Sequence, residues 1–113
     1  MQTLHESKFV TIELREQPFR HLVTRWNGFS PNGDFLNSID IILKCIATHN
    51  TRLVLNDIRR HQAVGTDAQA EAAKKVREFI EKNHPFSQAM LVPKEVFVQF
   101  ASQNFDKKLR AQM

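Results

Sequence analysis

The sequence has no long apolar run. None approaches the ~18 residues that a membrane-spanning helix needs, so no membrane span is expected. The opening stretch MQTLHESKF has no apolar block of the kind a secretory signal requires. There is one cysteine, Cys45, which excludes an intramolecular disulfide. A cytoplasmic location with Cys45 as a core thiol is the expectation. Glycine is scarce, with three in the chain. None belongs to a G-x-G-x-x-G or G-x-x-x-x-G-K-[ST] stretch, so those two phosphate cradles are missing. The five histidines, His5, His21, His49, His61 and His84, form no metal-ligand motif. No metal and no cofactor are expected. Repeats, linkers and low-complexity segments are also missing.

What is present is ordinary for one globular domain: 113 residues, 42% hydrophobic and 25% charged. Net charge is +4, with an isoelectric point near 9.6. The basic residues fall into three groups: Arg52/Arg59/Arg60, Lys74/Lys75/Arg77 and Lys107/Lys108/Arg110. The last two read as solvated helix faces, so a nucleic-acid partner is not indicated.

Hydrophobic spacing sets the expected elements. Residues 8–15, KFVTIELR, alternate with period two. Val10, Ile12 and Leu14 form the buried face of an edge strand, and Thr11, Glu13 and Arg15 face water. A turn closed by Pro18 leads to a second strand, residues 19–26. Leu22, Thr24 and Trp26 share one side of it, and His21, Val23 and Arg25 the other. This is an antiparallel hairpin. Residues 27–33, NGFSPNG, are breakers and predict a loop. A helix follows over residues 34–49, with the stripe Phe35, Ile39, Ile42, Leu43, Ile46 and with Asp34 near its positive end. Leu53-Val54-Leu55 predicts a buried central strand running into the charged stretch Asn56-Asp57-Ile58-Arg59-Arg60. A second helix, residues 66–83, is expected to be capped by Thr66 or Asp67. Residues 86–92 predict an interior strand, because Met90-Leu91-Val92 is apolar on both sides. Pro93 then opens a third helix, with Val96, Phe97, Phe100 and Ala101 inward. The order is β-β-α-β-α-β-α, a small mixed α/β sheet of four strands.

Three stretches resemble one family: TRWNGF at 24–29, LVLNDIR at 53–59 and AMLVPKEVF at 89–97. Together with the element order they resemble the STAS superfamily, the anti-sigma-factor-antagonist-like domains and their STAS/CRAL-TRIO-like bacterial relatives. Small bacterial members share W-x-G-F, L-x-D-x-R and V-P-x-x-V-F. The resemblance implies a STAS-like fold without its last strand and helix, and hence a free sheet edge open to a homodimer. It implies a non-catalytic regulatory module that binds a protein partner in signalling. The CRAL-TRIO-like relatives imply instead a small apolar or anionic, lipid-like ligand. The antagonists carry an Asp-Ser-Ser-Gly-like stretch, phosphorylated on serine, at the start of the second helix. Here it reads Val64-Gly65-Thr66-Asp67, so only Thr66 can stand in as a phosphorylation site.

The candidate binding surface is Asn56, Asp57, Ile58, Arg59, Arg60 and Thr66, at the end of the central strand. An anion held by Arg59, Arg60 and the backbone near Gly65 is one reading of it. The other is that Asp57 pairs with an arginine and the loop is structural. Trp26, Phe29 and Phe35 flank the glycine-containing loop and are the candidate pocket, with Phe29 either lidding the core or lining that pocket. An enzyme would have to use Asp57, His61 and Arg59. No triad, acid–base pair or nucleophile motif accompanies them, so no turnover is expected.

Overall fold

A computed structural model describes residues 1–62 and 64–94. Within them lie five strands and two helices: β1 (Gln2–Glu6), β2 (Val10–Arg15), β3 (His21–Gly28), α1 (Asn32–His49), β4 (Leu53–His61), α2 (Thr66–Lys82) and β5 (Ser87–Leu91). The sheet order is β1-β2-β3-β4-β5. The first two pairings are antiparallel and the last two parallel. The expected third helix, with Val96, Phe97, Phe100 and Ala101, lies outside the described residues. Among those described, no helix is long and apolar enough to cross a membrane.

The α/β class and mixed sheet are present, with a fifth strand that the sequence reading lacks. β1 is QTLHE, a polar stretch with little strand propensity of its own. It is a strand because β2 offers it an open ladder, with Thr3 opposite Glu13 and Glu6 opposite Thr11. Half-buried Leu4 adds to the core. β2 is therefore interior and not an edge. β5 is the reverse correction. Its apolar run suggested an interior strand, yet it lies at the sheet edge and all five of its residues are exposed.

Register assigns the two faces. Leu14 sits opposite Leu22, Ile12 opposite Thr24 and Val10 opposite Trp26. Leu22 and Thr24 in turn align with Val54 and Asn56. This row is the floor of the core. Phe35, Ile42, Leu43 and Ile46 of α1 and Ala68 and Ala72 of α2 pack onto it. The two alanines let α2 approach closely. The crossovers β3-α1-β4 and β4-α2-β5 step along the sheet in the same direction, so shared handedness places both helices on one face. Lys75 of α2 reaches Asp40 of α1 at 3.2 Å.

The helix ends differ from expectation. Asn27 and Gly28 belong to β3, and Asn32 and Gly33 to α1, leaving a shorter loop. Gly28 ends β3 at a φ of +59°, which a side chain would oppose. Pro31 precedes α1 and its carbonyl accepts from Phe35 N–H at 2.8 Å. Asn50 closes α1 in the left-handed region, donating its N–H to the Ile46 carbonyl. Gly65, not Thr66 or Asp67, is the N-cap of α2, and no side chain caps it. Thr66 is already inside the first turn, where its hydroxyl cannot serve as cap.

The corrected strand positions predict opposite outcomes at two apolar residues. Ile12 is fully buried and Met90 is 49% exposed. Ile12→Ala should cost about 2–5 kcal/mol, and Met90→Ala less than about 0.5 kcal/mol. Urea unfolding of both variants checks this, and equal costs would place β2 and β5 wrongly.

Candidate functional site

The second face of the sheet carries Thr11, Glu13, Arg15, Arg25, Asp57 and Arg59. No described helix packs on it. Glu13 was expected in water, yet only 6% of its side chain is exposed. It forms an ion pair with Arg25, and Arg15 stands 3.8 Å away. Three strands produce this burial: β1 flanks β2 on one side, and β3 supplies Arg25 from the other. Asp57, whose side chain is 11% exposed, is held in the same way. Its Oδ2 accepts from Arg59 Nη2 at 2.8 Å, and its Oδ1 accepts from Arg59 Nε at 3.0 Å and from the Arg59 backbone N–H at 3.1 Å. Asp57 thus pairs with an arginine two positions along its own strand.

A bulge in β4 completes the cluster. Arg25 aligns with Asp57, but Asn27 aligns with Arg60, so three steps on β4 match two on β3. Strict alternation would send Arg60 to the opposite face from Arg59. The extra residue instead brings Arg59 and Arg60 to the same groove. That groove, of about 630 Å³, is bordered by Thr11, Arg25, Asn27, Asp57, Arg59 and Arg60. The side chains of Arg25 and Arg59 are 41% and 59% exposed. The carboxylates lie beneath and the guanidinium groups above, so the accessible surface is cationic.

The same bulge returns His61 to the helix face. Its ring lies 4.9 Å from Trp26 and 6.1 Å from Phe35. Asp57 and His61 therefore face opposite sides of the sheet, and the grouping Asp57, His61, Arg59 is not brought together. The Asp57 carboxyl is held below the usual range, first by the Arg59 side-chain hydrogen bond and further by the Arg59 backbone N–H and the charges of Arg59 and Arg25. A carboxylate so fixed in its ionised form is a poor proton-transfer group near neutrality. Burial pushes the half-buried Cys45 thiol up, which makes it a weak nucleophile.

The remaining expected surface residues divide. Asn56 does not face solvent: its Oδ1 accepts from Thr24 Oγ1 at 2.5 Å and from Trp26 Nε1 at 2.8 Å. Ile58 packs against the core, and Val64 is half-buried beside it. Arg59, Arg60 and Thr66 are exposed. The three candidate pocket aromatics also separate. Trp26 and Phe35 pack on one another, with centroids 5.3 Å apart, and both are buried. Phe29 is 59% exposed and lines a different groove. The cavity beside Trp26, Thr24 and Asn56 is about 40 Å³, room for a water and not for a lipid chain. Asn27 belongs to the stretch 27–33 that the sequence reading also assigns to the working surface, whereas Arg25 and Glu13 were not in the expected site. Their sequence signals were the period-two faces His21, Val23, Arg25 and Thr11, Glu13, Arg15.

The chain matches no protein-family model, no curated protein and no solved structure.

The position of His61 has a consequence in acid. Burial lowers its affinity for a proton in the folded state, so the unfolded chain protonates first. Its contribution to stability is complete above the unfolded value of about 6.5 and is lost as pH falls from there through the folded value. Denaturant midpoints of the wild type should therefore fall below about pH 6.5, and His61→Phe should flatten that part of the profile. Parallel profiles for the two proteins would contradict this placement.

Proposed function

We propose that this chain is a non-catalytic binding module, STAS-like in its element order, that engages a protein partner through the open face of β3 and β4. The observation that carries this reading is the bulge-built cluster, in which buried carboxylates hold guanidinium groups outward. Arginines presented in this way suit recognition of carboxylate or phosphate groups. The antiparallel pair β2–β3 followed by α1, β4, α2 and β5 matches the organisation the STAS resemblance implies, with β1 as an addition to it. A regulatory role in bacterial signalling follows from that resemblance. Thr66, exposed at the start of α2, is the position where such a domain would be modified.

A small anionic ligand is the second reading. A groove of about 630 Å³ lies within the range of small-molecule sites, usually about 300–1,000 Å³. A lipid-like ligand has less support, because Trp26 and Phe35 fill the space between sheet and α1.

Arg60 is exposed and has no carboxylate partner among the described residues, which makes it the suitable probe. Arg59 is different, since removing it strips the buried Asp57 of its partner. Arg60→Ala should leave stability within about 0.5 kcal/mol of wild type and abolish co-purification of the partner from the native cells, read by native mass spectrometry. A small molecule as the sole bound species would favour the second reading. Undiminished capture by Arg60→Ala would remove this face from the binding surface.

A further inference from the structure

We infer that the occupant of this face is an extended acidic peptide segment that also carries an aromatic side chain. The inference rests on the partner-binding reading and adds the chemistry of the partner. A second groove, of about 400 Å³, lies at the carboxyl end of β3, bordered by Phe9, Asn27, Phe29 and Pro31, with Lys8 and Asp34 also lining it. Asn27 lines both this groove and the arginine groove. The two therefore adjoin at Asn27. The link is structurally firm, because Asn27 N–H donates to the Phe9 carbonyl at 2.9 Å and ties the start of β2 to the end of β3.

The two compartments differ in chemistry. The first presents Arg25, Arg59 and Arg60, whose resident carboxylates, Glu13 and Asp57, are already engaged. Arg59 commits Nε and Nη2 to Asp57, leaving Nη1 to face a ligand. Arg60 is exposed and has no carboxylate partner among the described residues. Complementarity calls for more than one acidic group, spaced along the groove. The second compartment contributes Phe29, left 59% exposed between Gly28 and Ser30. An aromatic ring in contact with Phe29, Phe9 and Pro31 would bury that apolar surface. Lys8 lies over the Phe9 ring at 5.2 Å and adds positive charge at the rim.

A single small anion would occupy the arginine compartment and leave Phe29 uncovered. A peptide in extended conformation spans both compartments, with acidic residues over β3–β4 and an aromatic residue beyond the end of β3. A nucleic acid fits less well. The other described basic cluster lies on α2, across the sheet from these arginines, and its Lys75 is paired with Asp40.

Panning a random linear peptide library on the intact protein tests this, followed by fluorescence anisotropy with a labelled consensus peptide. The selected sequences should combine two or more Asp or Glu residues with an aromatic. Arg60→Ala and Phe29→Ala, both at exposed positions, should each weaken the consensus peptide by about five- to tenfold. Arg25→Lys, which keeps the charge facing Glu13, should also weaken it by losing the planar fork. Failure to select any sequence, or selection of neutral or basic ones, overturns the inference. So does a consensus peptide indifferent to Phe29→Ala. Inorganic pyrophosphate that binds as tightly as the peptide and displaces it would show a small-anion site instead. Should panning fail while a native partner is still lost on Arg60→Ala, the binding-module reading stands and this inference alone falls.

Discussion

Two carboxylates buried on one face of a sheet, each beside an arginine, set the terms for the rest of the molecule. Desolvating a carboxylate costs several kcal/mol unless an opposite charge and hydrogen bonds replace the lost water. Asp57 meets that demand with the charge and hydrogen bonds of Arg59, and Glu13 with the charge of Arg25. The Glu13 solution depends on strand register, whereas Asp57 and Arg59 pair along one strand. Glu13 and Arg25 come from adjacent strands, and Arg25 stands opposite Asp57 across the β3–β4 ladder. A register slip of one residue would send one member of each cross-strand pair to the apolar side. The Glu13–Arg25 pair therefore specifies alignment more than it adds stability, and both pairs leave cationic groups directed outward.

The opposite face answers to different physics. Val10, Ile12, Leu22, Val54 and Ile46 are almost completely buried, and few polar side chains are admitted among them. Asn56 is the instructive case, since a single oxygen accepts from both Thr24 and Trp26. That pair of bonds joins β3 to β4 beneath α1 and fixes the indole against which Phe35 and His61 stack. The β4 bulge connects the two faces. One additional residue turns Arg60 toward the cationic groove and His61 toward the aromatic cluster. The same local irregularity thus builds the binding surface and seals the core behind it.

Much of the scaffold was legible in the sequence. The alternation of Val10, Ile12 and Leu14 and the helical spacing from Phe35 to Ile46 come directly from burial on one face. β1 was not legible, because QTLHE becomes a strand through its neighbour and not through its own composition. The edge position of β5 was hidden too: an apolar run does not reveal whether another strand lies beyond it. Asn56 looked solvent-facing beside Asp57 and Arg59, although its alternation with Val54 and Ile58 already placed it on the core side. For the candidate site, Arg59 and Arg60 were visible as a basic pair in a polar loop. Arg25 and Glu13 were not, because their partnership is non-local and the bulge leaves no composition signal.

The central claim is that Asp57 positions Arg59 for recognition, over and above any attraction from net positive charge. Asp57→Asn separates these two effects, since it adds a net positive charge while removing the ion pair that holds the guanidinium. Partner capture by this variant, compared with wild type at matched ionic strength, is the most direct measurement. The account predicts weaker capture despite the more positive surface. Equal or stronger capture would contradict it and reduce the face to a patch of unspecific charge.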